Sequence, residues 1–199
     1  GVPFTAAPVV FSGVSSLNDT TPEYVVSTRN YDIDQSSFNI TMQEERDGDE
    51  SHAAAEELHY IAISATAGAN AAGMLVEIGS LASVTNNEAT LSFSLPFNDK
   101  PVINFSPQTI NDQGAISVRV NDDWDETSAE IMLKESDDED STHGAETVGY
   151  MAVSGGDGFN IKVGLADEPT GLVQDNNSAV NFGLTVYNFD HKENKFYRQ

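Results

Sequence analysis

Short runs rich in β-branched and aromatic residues recur along the chain, and polar turn clusters separate them. The runs cover residues 24–28, 37–42, 90–95, 115–120, 129–133 and 180–186. Clusters such as NDTTP, TNNE and DNNS lie between them and contain the residues that favour turns. Short strands at this spacing are typical of antiparallel sandwiches. The pattern predicts an all-β chain built of two tandem antiparallel β-sandwiches.

An internal repeat organises these runs. The segment PVVFSGVSSLND, which begins at Pro8, matches PVINFSPQTIND, which begins at Pro101. Further along the chain, residues 41–64 match residues 132–154, again with an acidic stretch followed by an apolar run. Self-similarity at a fixed period indicates copies of one structural unit. The sequence therefore predicts two copies of a unit of about 90 residues.

The repeat also decides between helix and strand for one segment. Read alone, SHAAAEELHYIAI has apolar residues at nearly helical spacing. Its partner STHGAETVGYMAV contains Gly144 and Gly149 and alternates towards Tyr150, which favours a strand. Both copies should adopt one fold, so a strand is predicted in each. The predicted domains are residues 1–87, residues 88–178, and a C-terminal strand with a basic tail over residues 179–199.

The repeated unit resembles a known family. The pattern F-x-x-x-P-V, then a strand with an arginine, a polar strand, an acidic loop and a last apolar strand (LHYIAIS or VGYMAVS), is similar to the H-type lectin domain. That family is a six-stranded sandwich that forms trimers and binds N-acetylgalactosamine in its snail members. The resemblance covers about two thirds of the chain and implies H-type-lectin-like sandwiches. Residues 65–87 and 155–178 fall outside it and are expected to form strand pairs or connections.

The ends of the chain depart from the repeat. The strand ATLSFS precedes the second copy and has no counterpart before the first, while the similar strand SAVNFGLTVYNF follows the second copy. A missing strand would leave unpaired backbone groups beside an open core. We expect the C-terminal strand to fill this position, either within its own chain or in the next chain as a donor strand, which would build a head-to-tail filament. A cut through a longer repeat array is the alternative. The core-facing residues of the donor strand are Val180, Phe182, Leu184 and Val186.

Charge narrows the classes of function. The chain has 32 acidic and 9 basic residues and a net charge of −23, which argues against a nucleic-acid partner because phosphates are bound by Lys and Arg. Cysteine is absent, which excludes disulfides and thiolate metal sites, and no apolar run is long enough to predict a membrane span. Such acidity suits an extracellular or saline setting. Three basic residues form a tail that could dock on an acidic body, namely Lys192, Lys195 and Arg198.

Acidic loops at equivalent positions of the two copies are candidate calcium sites. Calcium prefers carboxylate oxygens, and crowded carboxylates repel one another without a cation. The candidate ligands are Glu45, Asp47 and Asp49 in the first copy and Asp137, Asp138 and Asp140 in the second. A solvated acidic turn is the alternative. No cofactor other than calcium is expected.

Aromatic residues and two histidines are candidate glycan-binding residues. Sugar rings stack on exposed aromatic rings, and the chain has a single tryptophan. The candidates are Trp124, Tyr31, Tyr24, His52 and His143. Core packing is the alternative for the aromatic residues. The histidines recur together with Glu56 and Glu146, so a structural pair that ties the acidic loop to the next strand is the alternative for them.

No motif for catalysis is present. The sequence lacks a nucleophile elbow, a phosphate loop and a dinucleotide fingerprint, so neither an enzyme nor catalytic residues are predicted. The sequence favours a non-enzymatic, extracellular structural or adhesive subunit that forms a homo-oligomer or a filament. The alternative is a tandem carbohydrate-binding module of a secreted protein.

Overall fold

The computed structural model describes residues 3–16, 18, 26–44, 55–69, 74–121, 123–135, 143–154, 187–190 and 195–198, with Glu44, Ala69 and the last two ranges described as backbone only. Within these ranges the chain is all-β, and every strand pairing is antiparallel. The predicted fold class is confirmed at this level. No helix in the described ranges is long and apolar enough to cross a bilayer.

Five of the predicted runs, at residues 24–28, 37–42, 90–95, 115–120 and 129–133, correspond to strands to within a few residues, and the run at 180–186 lies outside the described residues. In chain order they are β1 (Val9–Val14), β2 (Val26–Tyr31), β3 (Asn39–Glu44), β4 (Leu58–Ile63), β5 (Thr66–Ala69), β6 (Leu75–Val84), β7 (Ala89–Ser92), β8 (Val102–Pro107), β9 (Ile116–Val120), β10 (Ser128–Glu135), β11 (Glu146–Ser154), β12 (Tyr187–Asp190) and β13 (Lys195–Arg198). The ambiguous segment LHYIAI is strand β4, as the repeat predicts. We refer to β1–β4 as the N-terminal strand group and to β5–β11 as the central strand group.

The central strand group has sandwich character. One sheet has the order β5-β6-β11-β8, and the other has the order β7-β10-β9. Their shared core includes Val148 from the first sheet and Leu91 and Ile131 from the second, each at most 3% exposed. Alternation in β11 buries Val148, Tyr150 and Ala152 on this side, as its sequence predicts. β6 pairs with β11 although it precedes the boundary predicted at residue 87.

The N-terminal strand group contains two strand pairs whose registers recur in the central group. In the β1–β4 pair, Ser12 lies opposite Tyr60. In the β8–β11 pair, Phe105 lies opposite Tyr150. These four positions correspond to one another in the sequence repeat. A one-residue slip would reverse the faces of a strand, so the shared register means that matching residues face the same way.

The second strand pair shows the same agreement. Arg29 in β2 lies opposite Thr41 in β3, and Arg119 in β9 lies opposite Met132 in β10. Both pairs are antiparallel, and the arginines hold the same register position. Arg29 and Arg119 are therefore twins in sequence and in strand pairing.

The two strand groups pack against each other through a small apolar cluster. Val9 and Phe11 of β1 contact Ile78 of β6, and all three are at most 7% exposed. The approach is closest at Gly149 in β11, where an added Cβ would lie 2.6 Å from Cγ1 of Val9 and 2.8 Å from Cδ of Gln108. A side chain at this position would have to push the groups apart.

We therefore expect Gly149→Ala to destabilise the chain by about 1–3 kcal/mol, the range typical of overpacked cores. Gly13→Ala is a matched control, because a Cβ on this strand glycine would meet no atom within 4 Å. The control should change stability by less than about 0.5 kcal/mol. Thermal unfolding of the two variants measures the difference, and equal melting temperatures would contradict the close approach.

Candidate assembly site

A buried ion pair joins the two strand groups. Arg29 of β2 donates from Nη2 to the carboxylate of Glu146 at the start of β11, and both side chains are fully buried. The guanidinium also donates to the carbonyl oxygens of Thr109 (2.9 Å), Asp112 (2.9 Å) and Gly114 (3.2 Å). The planar guanidinium can donate along several fixed directions at once, which suits such a crowded acceptor set. Arg29 thus fastens β2 to the loop after β8 and to β11.

Glu146 is held by a set of donors that keep it ionised. Its carboxylate accepts the Thr109 hydroxyl and the backbone N–H groups of Asn111 (2.9 Å) and Asp112 (3.1 Å). Burial alone would raise the pKa of Glu146, but the hydrogen bonds from Thr109 and Asn111 together with the charge of Arg29 lower the pKa below its usual value. We call Glu146 with Thr109 and Asn111 the central clamp.

His143 ties the acidic loop to the central clamp. Its Nδ1 lies 2.6 Å from Oε1 of Glu135 at the end of β10, and its Nε2 lies 3.2 Å from Oε1 of Glu146. The histidine side chain is fully buried. This geometry matches the structural alternative that the sequence offers for His143, a tie between the acidic loop and the next strand.

The N-terminal group contains a second clamp of the same build, which we call the N-terminal clamp. The Ser16 hydroxyl donates to the carboxylate of Glu56, and the backbone N–H of Asn18 donates to its Oε1 at 2.9 Å. The Asn18 side-chain amide donates to the carbonyl of Ala55 at 2.7 Å. In the central clamp, the Asn111 amide makes the equivalent bond, also at 2.7 Å. The repeat therefore extends from strands to the hydrogen bonds of a loop.

Side-chain amides complete the junction around β1. Gln108 accepts the N–H of Val10 at 2.8 Å and donates to its carbonyl at 2.7 Å, so one side chain satisfies both backbone groups. Asn30 donates to the same carbonyl at 3.0 Å and to the Ser106 hydroxyl at 2.8 Å. Buried backbone groups need such partners, so these amides allow β1 to pack against β8 without pairing with it.

The twin tyrosines of β4 and β11 have opposite environments. Tyr150 is 7% exposed, and its hydroxyl donates to Oε1 of Glu77 in β6 at 2.7 Å. Burial and the Glu77 carboxylate raise the pKa of Tyr150 well above its usual value. Tyr60 is 58% exposed and its neighbour Ile61 is 42% exposed. Among the described strands, β4 pairs only with β1, whereas β11 has β6 and β8 on its two sides.

Three predicted glycan-binding residues, Trp124, Tyr31 and His143, lie in the described part. Trp124 packs against the central core, donates its indole N–H to the Pro101 carbonyl at 2.9 Å, and has Nζ of Lys100 3.5 Å from its ring centroid. Tyr31 ends β2 and is half-buried. No described hydrogen bond or ring contact joins Trp124, Tyr31 and His143 to one another. Glycan binding stays a prediction.

The remaining predicted site residues lie outside the described residues or are described as backbone only. Outside are Tyr24, His52, Glu45, Asp47, Asp49, Asp137, Asp138, Asp140, Val180, Phe182, Leu184, Val186 and Lys192, while Lys195 and Arg198 lie in β13. Within the described ranges, no three His, Asp or Glu side chains are placed to hold a metal ion. The calcium and donor-strand assignments therefore stay predictions.

Sequence reasoning missed Arg29. The sequence pattern includes an arginine on this strand but gives it no role, and a charged residue in a polar strand is usually solvated. The available signal was the recurrence of arginine at Arg29 and Arg119 within an otherwise variable strand.

Comparison with known proteins finds a similarity to a protein of Haloquadratum walsbyi. This chain is similar to that protein, halomucin, with 29% identity over 165 residues that cover 78% of this chain. The chain spans about 2% of the length of halomucin. No family model and no solved structure matches the chain. The similarity is compatible with an extracellular location.

Proposed function

We propose that this chain is a non-enzymatic, extracellular structural or adhesive subunit that assembles head to tail through strand complementation. Its building blocks would be two copies of one H-type-lectin-like sandwich unit, of which the N-terminal copy is completed by a segment of another chain. The single observation that carries the proposal is the contrast between Tyr60, 58% exposed, and its twin Tyr150, 7% exposed.

The difference in exposure between Tyr60 and Tyr150 has a physical cause in the strands that surround each tyrosine. In the central group, β6 covers Tyr150 and supplies the acceptor Glu77. In the N-terminal group, no described strand takes the place of β6 beside β4 or of β7 beside β3, and Tyr60 is exposed. An uncovered strand edge with apolar side chains is a template for pairing with another chain. A strand from a neighbouring subunit that takes the place of β7, beside β3, would cover Tyr60, because in the central group Phe93 next to β7 has its ring centroid 6.5 Å from that of Tyr150.

The C-terminal sequence supports this choice of occupant. Residues 84–95 read VTNNEATLSFSL, and residues 173–184 read VQDNNSAVNFGL, so the two align without a gap. In the central group, Leu91 is 3% exposed and Phe93 packs against the core. The aligned residues are Val180 and Phe182, which the sequence predicts to face a core. The C-terminal segment thus has the sequence of a strand that completes a sandwich.

A pair of matched substitutions tests the proposal. We expect Phe182→Asp to weaken self-association at least about 100-fold, because a carboxylate would have to enter an apolar core. Asn181→Asp adds the same charge one residue away, on the face predicted to be solvated, and should weaken association less than about 3-fold. Sedimentation velocity of the full chain in molar NaCl measures both. Equal association of Phe182→Asp and the unaltered chain would overturn strand complementation.

A further inference from the structure

The two halves of the Arg29–Glu146 junction occur a second time in the chain. Arg119 on β9 holds the register position of Arg29, and Glu56 lies in the N-terminal clamp, which has the build of the central clamp. Within one chain, an arginine of the N-terminal group binds the clamp of the central group. The second arginine belongs to the central group and the second clamp to the N-terminal group. In the internal junction the arginine precedes the glutamate along the chain, whereas in the second set Glu56 precedes Arg119.

Arg119 is an exposed cation on a strongly acidic protein. Its side chain makes no hydrogen bond or ion pair with any described residue, although its twin Arg29 is fully buried and makes several. The chain has only 9 basic residues against 32 acidic ones. A cation presented in this way is attracted to the acidic surface of a second molecule.

The N-terminal clamp has the geometry needed to receive an arginine. The backbone nitrogen of Asn18 lies 2.9 Å from Oε1 of Glu56, and the backbone nitrogen of Asn111 lies at the same distance from Oε1 of Glu146. Glu56 is half-buried rather than fully buried, so part of its side chain is accessible to a second molecule. The donors Ser16 and Asn18 thus hold the Glu56 carboxylate in a fixed position.

We propose that Arg119 of one chain binds the N-terminal clamp at Glu56 of a second copy of this chain, so that the contact between chains repeats the contact between the strand groups. This inference rests on the proposed head-to-tail assembly and names its polar contact. The direction agrees with strand complementation, because the central group and the C-terminal segment would both face the N-terminal group of the next chain.

One difference sets the strength of the contact between chains. His59 takes the place of Gly149 in the repeat, so the backbone cannot come as close as it does beside Val9. A wider spacing between the two chains buries less apolar surface. The arginine side chain then contributes a larger share of the binding free energy. The contact between chains should therefore be weaker than the internal junction and more sensitive to salt.

The test measures self-association of the full chain by sedimentation velocity at 0.15 M and 1 M NaCl. We expect Arg119→Ala and Glu56→Gln each to weaken association about 10-fold, as is typical for loss of one partner of an interfacial pair. The double variant should associate about as weakly as each single variant, because each substitution removes the same pair. Lys134→Ala removes an exposed cation from the adjacent strand β10 and should change association less than about 2-fold.

The outcomes separate this inference from the proposed function. If Arg119→Ala associates as strongly as the unaltered chain while Phe182→Asp associates more weakly, the arginine contact is overturned and strand complementation still stands. Equal weakening by Arg119→Ala and Lys134→Ala would show an unspecific charge effect and also overturn it. An unaltered chain that stays monomeric at every concentration would overturn both proposals. Circular dichroism of each variant confirms that Glu56→Gln, which keeps a hydrogen-bond acceptor, leaves the fold intact.

Discussion

Replacing Arg29 with methionine should lower the free energy of unfolding by about 3–5 kcal/mol, the range found when one partner of a buried ion pair is removed. The variant leaves the Glu146 carboxylate fully buried without its cation. It also leaves the carbonyls of Thr109 and Asp112 without the guanidinium donors that lie 2.9 Å away. Methionine fills most of the vacated volume, so the loss reports the polar contacts more than a cavity.

Arg119→Met is the matched control for this substitution. Arg119 has the same strand register but is exposed, so its replacement should change the stability of the dilute, unassociated chain by less than about 0.5 kcal/mol. Adding Glu146→Gln to Arg29→Met should recover part of the loss, because a neutral amide removes the unpaired buried charge. Chemical denaturation at constant salt measures all three variants. Equal losses for Arg29→Met and Arg119→Met would contradict the structural role of the buried pair.

The β-strands could be predicted because their signal is local. Alternation in VGYMAV identifies the buried face of β11, and Val148, Tyr150 and Ala152 are indeed buried. The repeat contributed more than periodicity did for β4, where alanine and glutamate residues imitate a helix. Comparison with the glycine-containing twin removed that ambiguity, because a central glycine weakens a helix.

The partners of β6 could not be predicted because strand pairing is a long-range property. The segment LVEIGSLASV carries Glu77 and Gly79, which are unfavourable in a typical strand, and the boundary predicted at residue 87 separates it from its partner β11. In the structure, Glu77 accepts the Tyr150 hydroxyl and the N–H of Ser94, and Gly79 leaves room for the Tyr150 ring. Each unfavourable residue is explained by one tyrosine that is distant in sequence.

The candidate assembly site could likewise be predicted only in part from the sequence. The recurrence of Glu56 and Glu146 was visible in the sequence, and the loops around them do have the same hydrogen bonds. The burial of Arg29 was not visible, because its acceptors are backbone carbonyls about 80 residues away, and carbonyls leave no mark on the sequence. A buried cation is identified only when the fold brings its acceptors together.

The largest effect of solution conditions should come from salt. With a net charge of −23, the folded chain concentrates like charges that the unfolded chain can separate. The screening length falls from about 30 Å at 0.01 M salt to about 3 Å at 1 M. We expect the melting temperature to rise by at least about 10 °C between these two concentrations, which is roughly 3–4 kcal/mol for a chain of this length. Calorimetry across a NaCl series measures the slope.

A triple variant separates charge screening from other effects of salt. Asp99, Asp123 and Glu126 are exposed, and no described side-chain contact involves their carboxylates. Replacing them with Asn, Asn and Gln removes three negative charges without removing a hydrogen bond that the described fold uses. The variant should melt at a higher temperature than the unaltered chain at 0.01 M NaCl, and the two should converge at 1 M, because screening then hides the difference. Parallel melting curves across the whole salt series would contradict self-repulsion as the cause, since a preferential-exclusion effect of salt does not depend on these three charges.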